Sequence, residues 1–224
     1  MGQLIDFNGG DRQYQGYLAT ARDGVGPGVI VIQEWWGLVD HIKHVCDRFA
    51  EAGFTALAPD LYFGEATTEP TRAGELMMAL SISETAEVLE RAIDKLLSLP
   101  SVMGKKLGIV GFCMGGQLSM YAACHSSKIG ACVNFYGIHP NVQPALRALS
   151  CPMMGVFAEH DDYASPSAVR ALDEELTLLD KEHQFTTYPG THHAFFNDSR
   201  PVVYNETAAF DAWQRLLVFL KANL

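Results

Sequence analysis

The chain has 224 residues, of which 48% are hydrophobic and 19% are charged, and this fits one compact domain, residues 1–224, with a sizeable core. Its net charge of -10 and the lack of Lys/Arg clusters argue against a nucleic-acid partner or an anionic membrane surface. No apolar segment approaches the roughly 20 residues of a membrane span, and the amino terminus lacks a signal-peptide pattern.

The first half of the chain alternates between predicted strands and helices. Two short alternating runs within residues 3–18, on either side of Asn8-Gly9-Gly10, are typical of an antiparallel hairpin. The β-branched run at 28–32 suits a strand buried on both faces of a parallel sheet. The remaining predicted elements here are a helix over 40–53, a strand over 54–58, a weak helix over 73–79 and a helix from about 83 to 97.

The second half repeats this alternation. Its predicted elements are a strand ending at Phe112, a helix over 114–124, strands over 131–135 and 153–157, a helix over 166–179, a strand over 184–188 and a helix over 206–222. Strands that alternate with helices predict an α/β fold with a mainly parallel sheet and helices on both faces. Such sheets place their sites beyond the carboxyl ends of the strands.

Cysteine usage indicates the redox compartment. The five cysteines form an odd set without Cys-x-x-Cys spacing, which predicts reduced thiols in a cytoplasmic compartment and argues against a zinc site. They are Cys46, Cys113, Cys124, Cys132 and Cys151. No residue pattern identifies a protein partner, and we expect a monomer or a small homo-oligomer.

Cys113 stands at a predicted strand-turn-helix junction, in the pattern Gly-x-Cys-x-Gly-Gly. In a nucleophile elbow the reacting side chain sits on such a turn, and small neighbours let the turn pack against adjacent backbone. The amino terminus of the following helix favours a thiolate over a thiol. The alternative is a buried cysteine beside a tight turn, without a chemical role.

An acid and a histidine follow Cys113 in the order that this arrangement requires. Asp161 and Asp162 follow one predicted strand, and His192 and His193 follow the next. We choose Asp161, and we choose His193 because Phe195 can then turn back toward the core. The alternative for the two acids is a helix cap or a solvated loop charge. The alternative for His192 is a surface position. The histidine would take the thiol proton and return it to the leaving group, and the acid would orient the imidazole.

Four motifs over nearly the full length make the chain resemble the dienelactone hydrolases, α/β-hydrolase enzymes with a cysteine nucleophile. The motifs are Gln-Glu-Trp-Trp-Gly at 33–37, Pro-Asp-Leu-Tyr at 59–62, Gly-Phe-Cys-Met-Gly-Gly at 111–116 and His-Ala-Phe at 193–195. The resemblance implies hydrolysis of an enol-lactone from aromatic degradation to a keto dicarboxylate, without metal or organic cofactor. It also implies a Cys113, Asp161 and His193 triad, with Glu34 as the family's strand-end glutamate, which helps to convert thiol to thiolate.

Glu34 also stands out by its position, because a carboxylate after four buried aliphatic residues is costly unless it is paired or used. It could pair with the thiol, or it could hold nearby backbone. The backbone N–H groups of Trp35 and Met114 are the predicted oxyanion hole. Trp35, Trp36, Tyr136 and Phe195 could wall a small planar pocket or could be plain packing.

The chain departs from the dienelactone-specific pattern at Asn197, where the family places an arginine that holds the substrate carboxylate. Arg72 and Arg200 are the candidate replacements for this cation clamp. We therefore predict a hydrolase of activated esters or lactones acting on a small molecule, most specifically a dienelactone. The alternatives are a broader carboxylesterase or thioesterase, and a non-catalytic ligand-binding or thiol redox protein.

Overall fold

The structure, a computed structural model, describes residues 1–9 and 12–224. In these ranges the strands are β1 (Gln3–Gly9), β2 (Arg12–Ala19), β3 (Gly26–Ile32), β4 (Thr55–Pro59), β5 (Val102–Phe112), β6 (Ile129–Phe135), β7 (Met153–His160) and β8 (His183–His192). The α-helices are α1 (Asp40–Glu51), α2 (Pro70–Ala79), α3 (Ile82–Leu97), α4 (Met114–His125), α5 (Pro166–Leu178) and α6 (Glu206–Asn223), with a 3-10 turn at Leu146–Ala148.

The strands form one mainly parallel sheet in the order β1-β2-β4-β3-β5-β6-β7-β8. β1 and β2 pair as the predicted antiparallel hairpin, and β2 is also antiparallel to β4. The predicted turn includes Gly10, which lies outside the described residues. From β4 to β8 every neighbouring pair is parallel, so the carboxyl ends of these strands meet at one edge. The predicted sheet class is confirmed.

Helices cover both faces of this sheet. The buried residues of α1 and α6 pack on one face, and those of α3, α4 and α5 pack on the other. In β3, Val29 and Val31 belong to the core on the face covered by α1 and α6. Ile30 and Ile32 belong to the core on the opposite face, covered by α3, α4 and α5. Because successive side chains of a strand point to opposite faces, a continuous apolar run is required at this central position.

Three elements extend three or more residues beyond a predicted end. β7 and β8 continue past their predicted ends at Phe157 and Tyr188, and after a register shift His160 pairs with His192. The apolar pattern stops earlier because these extensions are largely exposed. α2 already begins at Pro70, which suits a first helical position because its missing N–H is not needed there.

None of the helices formed by the described residues is long and apolar enough to cross a membrane. All five cysteines lie within the described ranges, where they are buried and free.

Candidate active site

Cys113 occupies a strained turn between β5 and α4. Its backbone has φ 54° and ψ -124°, a region that residues with a Cβ rarely adopt. The turn is held by hydrogen bonds from the Cys113 N–H to the Phe135 carbonyl at 3.0 Å and from the Gly116 N–H to the Cys113 carbonyl at 2.9 Å. The thiol therefore lies at the amino terminus of α4, where the helix dipole favours negative charge.

Two glycines around the turn permit this close packing. A Cβ at Gly111 would collide with the Gly115 carbonyl, and a Cβ at Gly115 would meet the carbonyl oxygens of Ile32 and Gln33. In both cases the obstructing atoms are backbone atoms, which cannot rotate away. The positions of these glycines in the sequence are therefore explained by the close backbone contact between β5, α4 and the end of β3.

Asp161 and His193 follow β7 and β8 directly, and their side chains are hydrogen-bonded. The distance from His193 Nδ1 to Asp161 Oδ2 is 2.8 Å. The other carboxylate oxygen accepts from the N–H groups of Tyr163 at 2.8 Å and Ala164 at 2.9 Å, so the acid is fixed on both oxygens. The structure thus pairs His193 with Asp161 rather than with the exposed Asp162.

The environment of His193 favours its protonated form. Burial alone lowers the pKa of this imidazole, but the interactions with Asp161 and Cys113 outweigh burial and raise the pKa to about 10. An imidazolium beside the sulfur stabilises negative charge on it. Two phenols lie near this centre. Burial and then the Cys113 charge raise the pKa of Tyr62, whereas burial, then the Glu34 charge and then the Cys113 charge raise the pKa of Tyr136.

Glu34 lies just beyond β3 and is only 1% exposed. Its Oε2 accepts a hydrogen bond of 2.6 Å from Asn197 Nδ2, whereas Oε1 is buried without a partner among the described residues. The carboxylate is thus hydrogen-bonded to a side chain distant in sequence. Within the described residues it is not bonded to nearby backbone, which was one of the two roles predicted for Glu34. Glu34 and Cys113 line the same cavity.

The backbone N–H groups of Trp35 and Met114 also lack a protein acceptor in the described part of the chain. Met114 is the first residue of α4, and Trp35 lies in the loop after β3. The first N–H groups of a helix have no partner within the helix, so they are ready to bind an oxyanion. These are the two donors that the sequence predicts for this role.

A cavity of about 590 Å³ opens above the Cys113 turn. Of the predicted site residues, Glu34, Trp35, Trp36, Cys113, His193 and Arg200 line it. The guanidinium carbon of Arg200 lies 5.4 Å from the centre of the Trp36 ring, which places a cation on an aromatic wall.

Four residues predicted to bind substrate do not line this cavity, which corrects their predicted placement. Tyr136 and Phe195 are fully buried in the core behind the site. Asn197 is 1% exposed and is engaged with Glu34. Arg72 is on the exposed side of α2, where it pairs with Glu65 at 2.7 Å and Glu75 at 2.8 Å.

The sequence analysis missed most of the apolar wall and its exposed rim. These lining residues are Met77, Ile138, Pro140, His160, Tyr163, Ala194, Val202 and Val203. Tyr163 and Val202 are 58% and 94% exposed, so they form the entrance. The available signal was proximity in sequence to Asp161, His193 and Arg200. Met77 on α2 and the pair Ile138 and Pro140 carry no distinctive sequence pattern.

Comparisons with known proteins show the family and the fold. Residues 14–224 match the model of the dienelactone hydrolase family. "Protein usf" of Aquifex pyrophilus is 36% identical over 231 residues, which cover 100% of both chains. A "Putative carboxymethylenebutenolidase" of Aquifex aeolicus is 32% identical over the same share of both chains. The crystal structure of a "Putative Dienelactone Hydrolase" from Klebsiella pneumoniae has a TM-score of 0.88 at 27% identity, covering 99% of each chain.

Proposed function

The chain belongs to the dienelactone hydrolase family, and from this premise we propose that it hydrolyses enol-lactones and other activated esters through Cys113, His193 and Asp161. The family and its carboxymethylenebutenolidase-like relatives make it a hydrolase of carboxylic esters. The single observation that carries the mechanism is the 2.8 Å bond between His193 and Asp161 beside the cavity that Cys113 lines.

In the first half of the reaction the Cys113 thiolate attacks the acyl carbon, and the carbonyl electron pair moves onto oxygen. The N–H groups of Trp35 and Met114 bind that oxyanion. When the intermediate collapses, the bond to the leaving oxygen breaks, and the His193 imidazolium donates its proton to that oxygen. The product is a thioester on Cys113 and a released enol or alcohol; in a lactone both remain parts of one molecule.

In the second half the neutral His193 takes a proton from water as the water oxygen attacks the thioester. The same two N–H groups bind the new oxyanion, and collapse breaks the carbon–sulfur bond. This step releases a carboxylic acid and restores the thiolate-imidazolium pair. Asp161 stabilises the imidazolium in both halves and fixes its orientation.

A cysteine nucleophile limits the substrates to activated acyl groups. Thiolate is a good leaving group, so the first intermediate moves forward only if the substrate's own leaving group is at least as good, as an enolate or a thiolate is. Thioesters and other activated esters are therefore the second class of substrate. The free thiols of all five cysteines fit a reducing compartment such as the cytoplasm.

The direct test is the ultraviolet absorbance loss of a dienelactone, with p-nitrophenyl acetate measured in parallel. We expect rapid loss of the lactone and slower release of nitrophenol. Fast nitrophenol release with an unchanged lactone would instead assign the chain to broader esterases with the same triad. No turnover of either substrate, with Cys113 still open to alkylation, would contradict hydrolysis and favour a non-catalytic thiol protein.

Arg200 is the proposed contact for a substrate carboxylate, because it lines the cavity without an ion-pair partner in the described residues. We expect Arg200→Gln to raise KM for mono-p-nitrophenyl succinate by about 10-fold, as for the loss of one charged hydrogen bond. The KM for p-nitrophenyl acetate, which lacks the carboxylate, should change less than about 2-fold. Arg72→Gln is the matched control, since Arg72 lies outside the cavity lining. Equal changes in KM for both esters would show that Arg200 does not bind the substrate carboxylate.

A further inference from the structure

A second cavity lies beside the candidate active site. Its volume is about 390 Å³, within the range of about 300–1,000 Å³ that is typical of small-molecule pockets. Its walls come mainly from α4, the loop after β6, the 3-10 turn and α5. Most of the residues that line it are apolar, and they include Met120, Leu146, Phe157, Ala164, Val169 and Leu172. Such a surface favours contact with apolar groups over contact with water.

Ile138 is the one residue of the described chain that lines both this cavity and the cavity above Cys113. It follows β6 and is half-buried, whereas Tyr136 and His139 in the same loop are buried. A side chain that lines two cavities forms the wall between them. At this point the two cavities are therefore separated by a single aliphatic side chain.

The backbone that carries Ile138 is held on both sides. The Ile138 N–H donates to the Cys113 carbonyl at 3.2 Å, which ties this position to the turn of the candidate nucleophile. Farther along the same loop, Gln117 Nε2 on α4 donates to the Val142 carbonyl at 3.0 Å. Neither bond uses the Ile138 side chain, so shortening that side chain should open the wall without releasing the loop.

The acyl chain is the part of a bound substrate that can be directed toward Ile138. The acyl carbon on Cys113 carries an oxygen, a leaving group and the chain. The oxygen belongs at the N–H groups of Trp35 and Met114, and the leaving group must face His193, which donates a proton to it. Of the two cavities that the described residues form here, His193 lines only the first.

We propose that Ile138 is a specificity-determining residue: its side chain closes the second cavity to the acyl chain of the substrate and limits the native protein to short acyl groups. The occupant that suits the second cavity is the uncharged, apolar end of a longer chain. Glu175, which is exposed, is the charged residue among its described lining, and it would repel a terminal carboxylate. The inference rests on the proposed function in taking Cys113 as the nucleophile that carries the acyl group.

The test compares two esters that differ in acyl length. We define the chain ratio as kcat/KM for p-nitrophenyl octanoate divided by kcat/KM for p-nitrophenyl acetate, both measured by nitrophenol release. Ile138→Ala is expected to raise the chain ratio by about 10-fold or more over the native value. The reason is that burial of each methylene group is worth about 4-fold, so two such groups in the second cavity suffice.

A block from the far side tests where the chain goes. Ala168 lines the second cavity from the exposed side of α5, so Ala168→Trp fills the cavity without changing the core. Alone it should leave the chain ratio within about 2-fold of the native value, and in the Ile138→Ala background it should cancel the gain. Val203→Ala is the matched control, because half-buried Val203 lines the first cavity but not the second among the described residues.

Circular dichroism melting checks that each variant is folded. Ile138→Val, which removes only one methyl group, should raise the chain ratio in the same direction by a smaller factor, and it carries the test if Ile138→Ala does not fold. An unchanged chain ratio in the folded Ile138 variants would overturn the inference. So would a gain that Ala168→Trp does not cancel, or an equal gain in Val203→Ala, because either result would mean that the chain stays in the first cavity.

Alkylation of Cys113 separates this inference from the proposed function, since it does not need turnover. The rate with N-octyl iodoacetamide is divided by the rate with iodoacetamide at one pH, after subtraction of the rates in Cys113→Ala. Both reagents attack the same thiolate, so its fraction cancels in the quotient. A quotient that rises in Ile138→Ala and falls again with Ala168→Trp, without ester hydrolysis, would support the role of Ile138 and reject the proposed function. Hydrolysis of the acetate ester with a native chain ratio in every variant would do the reverse.

Discussion

Cys113→Ala is expected to lower kcat/KM for an activated ester by about 10⁴-fold or more, in the range found when a nucleophile is removed from a triad. The reason is geometric: the thiol is on the strained turn, and both the imidazole and the candidate oxyanion donors are arranged around it. What remains after substitution is the effect of binding and of the N–H groups of Trp35 and Met114. Stopped-flow release of nitrophenol from p-nitrophenyl acetate measures the loss.

Cys124→Ala is the matched control, because Cys124 and Cys113 are both 8% exposed and both belong to α4 or its cap. The control should keep kcat/KM within about 2-fold of the native value. Native protein, but not Cys113→Ala, should also form a thioester that mass spectrometry detects after rapid acid quenching. Retained hydrolysis in Cys113→Ala would remove this residue from the nucleophile position and, with it, the proposed mechanism.

The features that sequence predicts well are those encoded by neighbouring residues. A continuous apolar run predicts a central strand, and glycines around Cys113 predict the sharp turn after it. Once the strands are known to be parallel, their ends must meet, so Glu34, Asp161 and His193 are expected at one edge. The direction in which each side chain points depends on the local turn that follows its strand. The order Cys, Asp, His along the chain limits which residues can form the triad.

Other predicted site residues could not be placed in this way. Tyr136 and Phe195 follow the same edge, but each turns into the core. Arg72 is a candidate cation from the sequence, yet on α2 its side chain pairs with Glu65 and Glu75. The bond between Asn197 and Glu34 joins residues 163 positions apart, and no local pattern encodes such a pair.

Gly111 is the position where a single methyl group should disrupt the fold most strongly. A Cβ there would overlap the carbonyl of Gly115 and the backbone nitrogen of Gly116, both in the first turn of α4. No rotamer change relieves a clash with backbone, so α4 must move away from β5. We expect Gly111→Ala to destabilise the protein by about 3 kcal/mol or more, at the upper end for single substitutions.

Thermal unfolding followed by circular dichroism measures this effect, and a loss of about 3 kcal/mol corresponds to a decrease in Tm of roughly 6–12 °C for a chain of this size. Gly74→Ala is the control: Gly74 is in α2, and the nearest atom to its added Cβ is a Trp35 ring carbon at 3.9 Å. Alanine favours a helix interior over glycine, so this variant should keep or slightly raise Tm.

Activity should respond to Gly111→Ala even below its Tm, because a displaced α4 carries Cys113 and the Met114 N–H away from His193. A shift of about 1 Å at such a site lowers the rate by about 10²-fold. Normal Tm and normal kcat in Gly111→Ala would mean that α4 can adjust without disturbing the turn. The tight contact between β5 and α4 would then not be what holds the nucleophile in place.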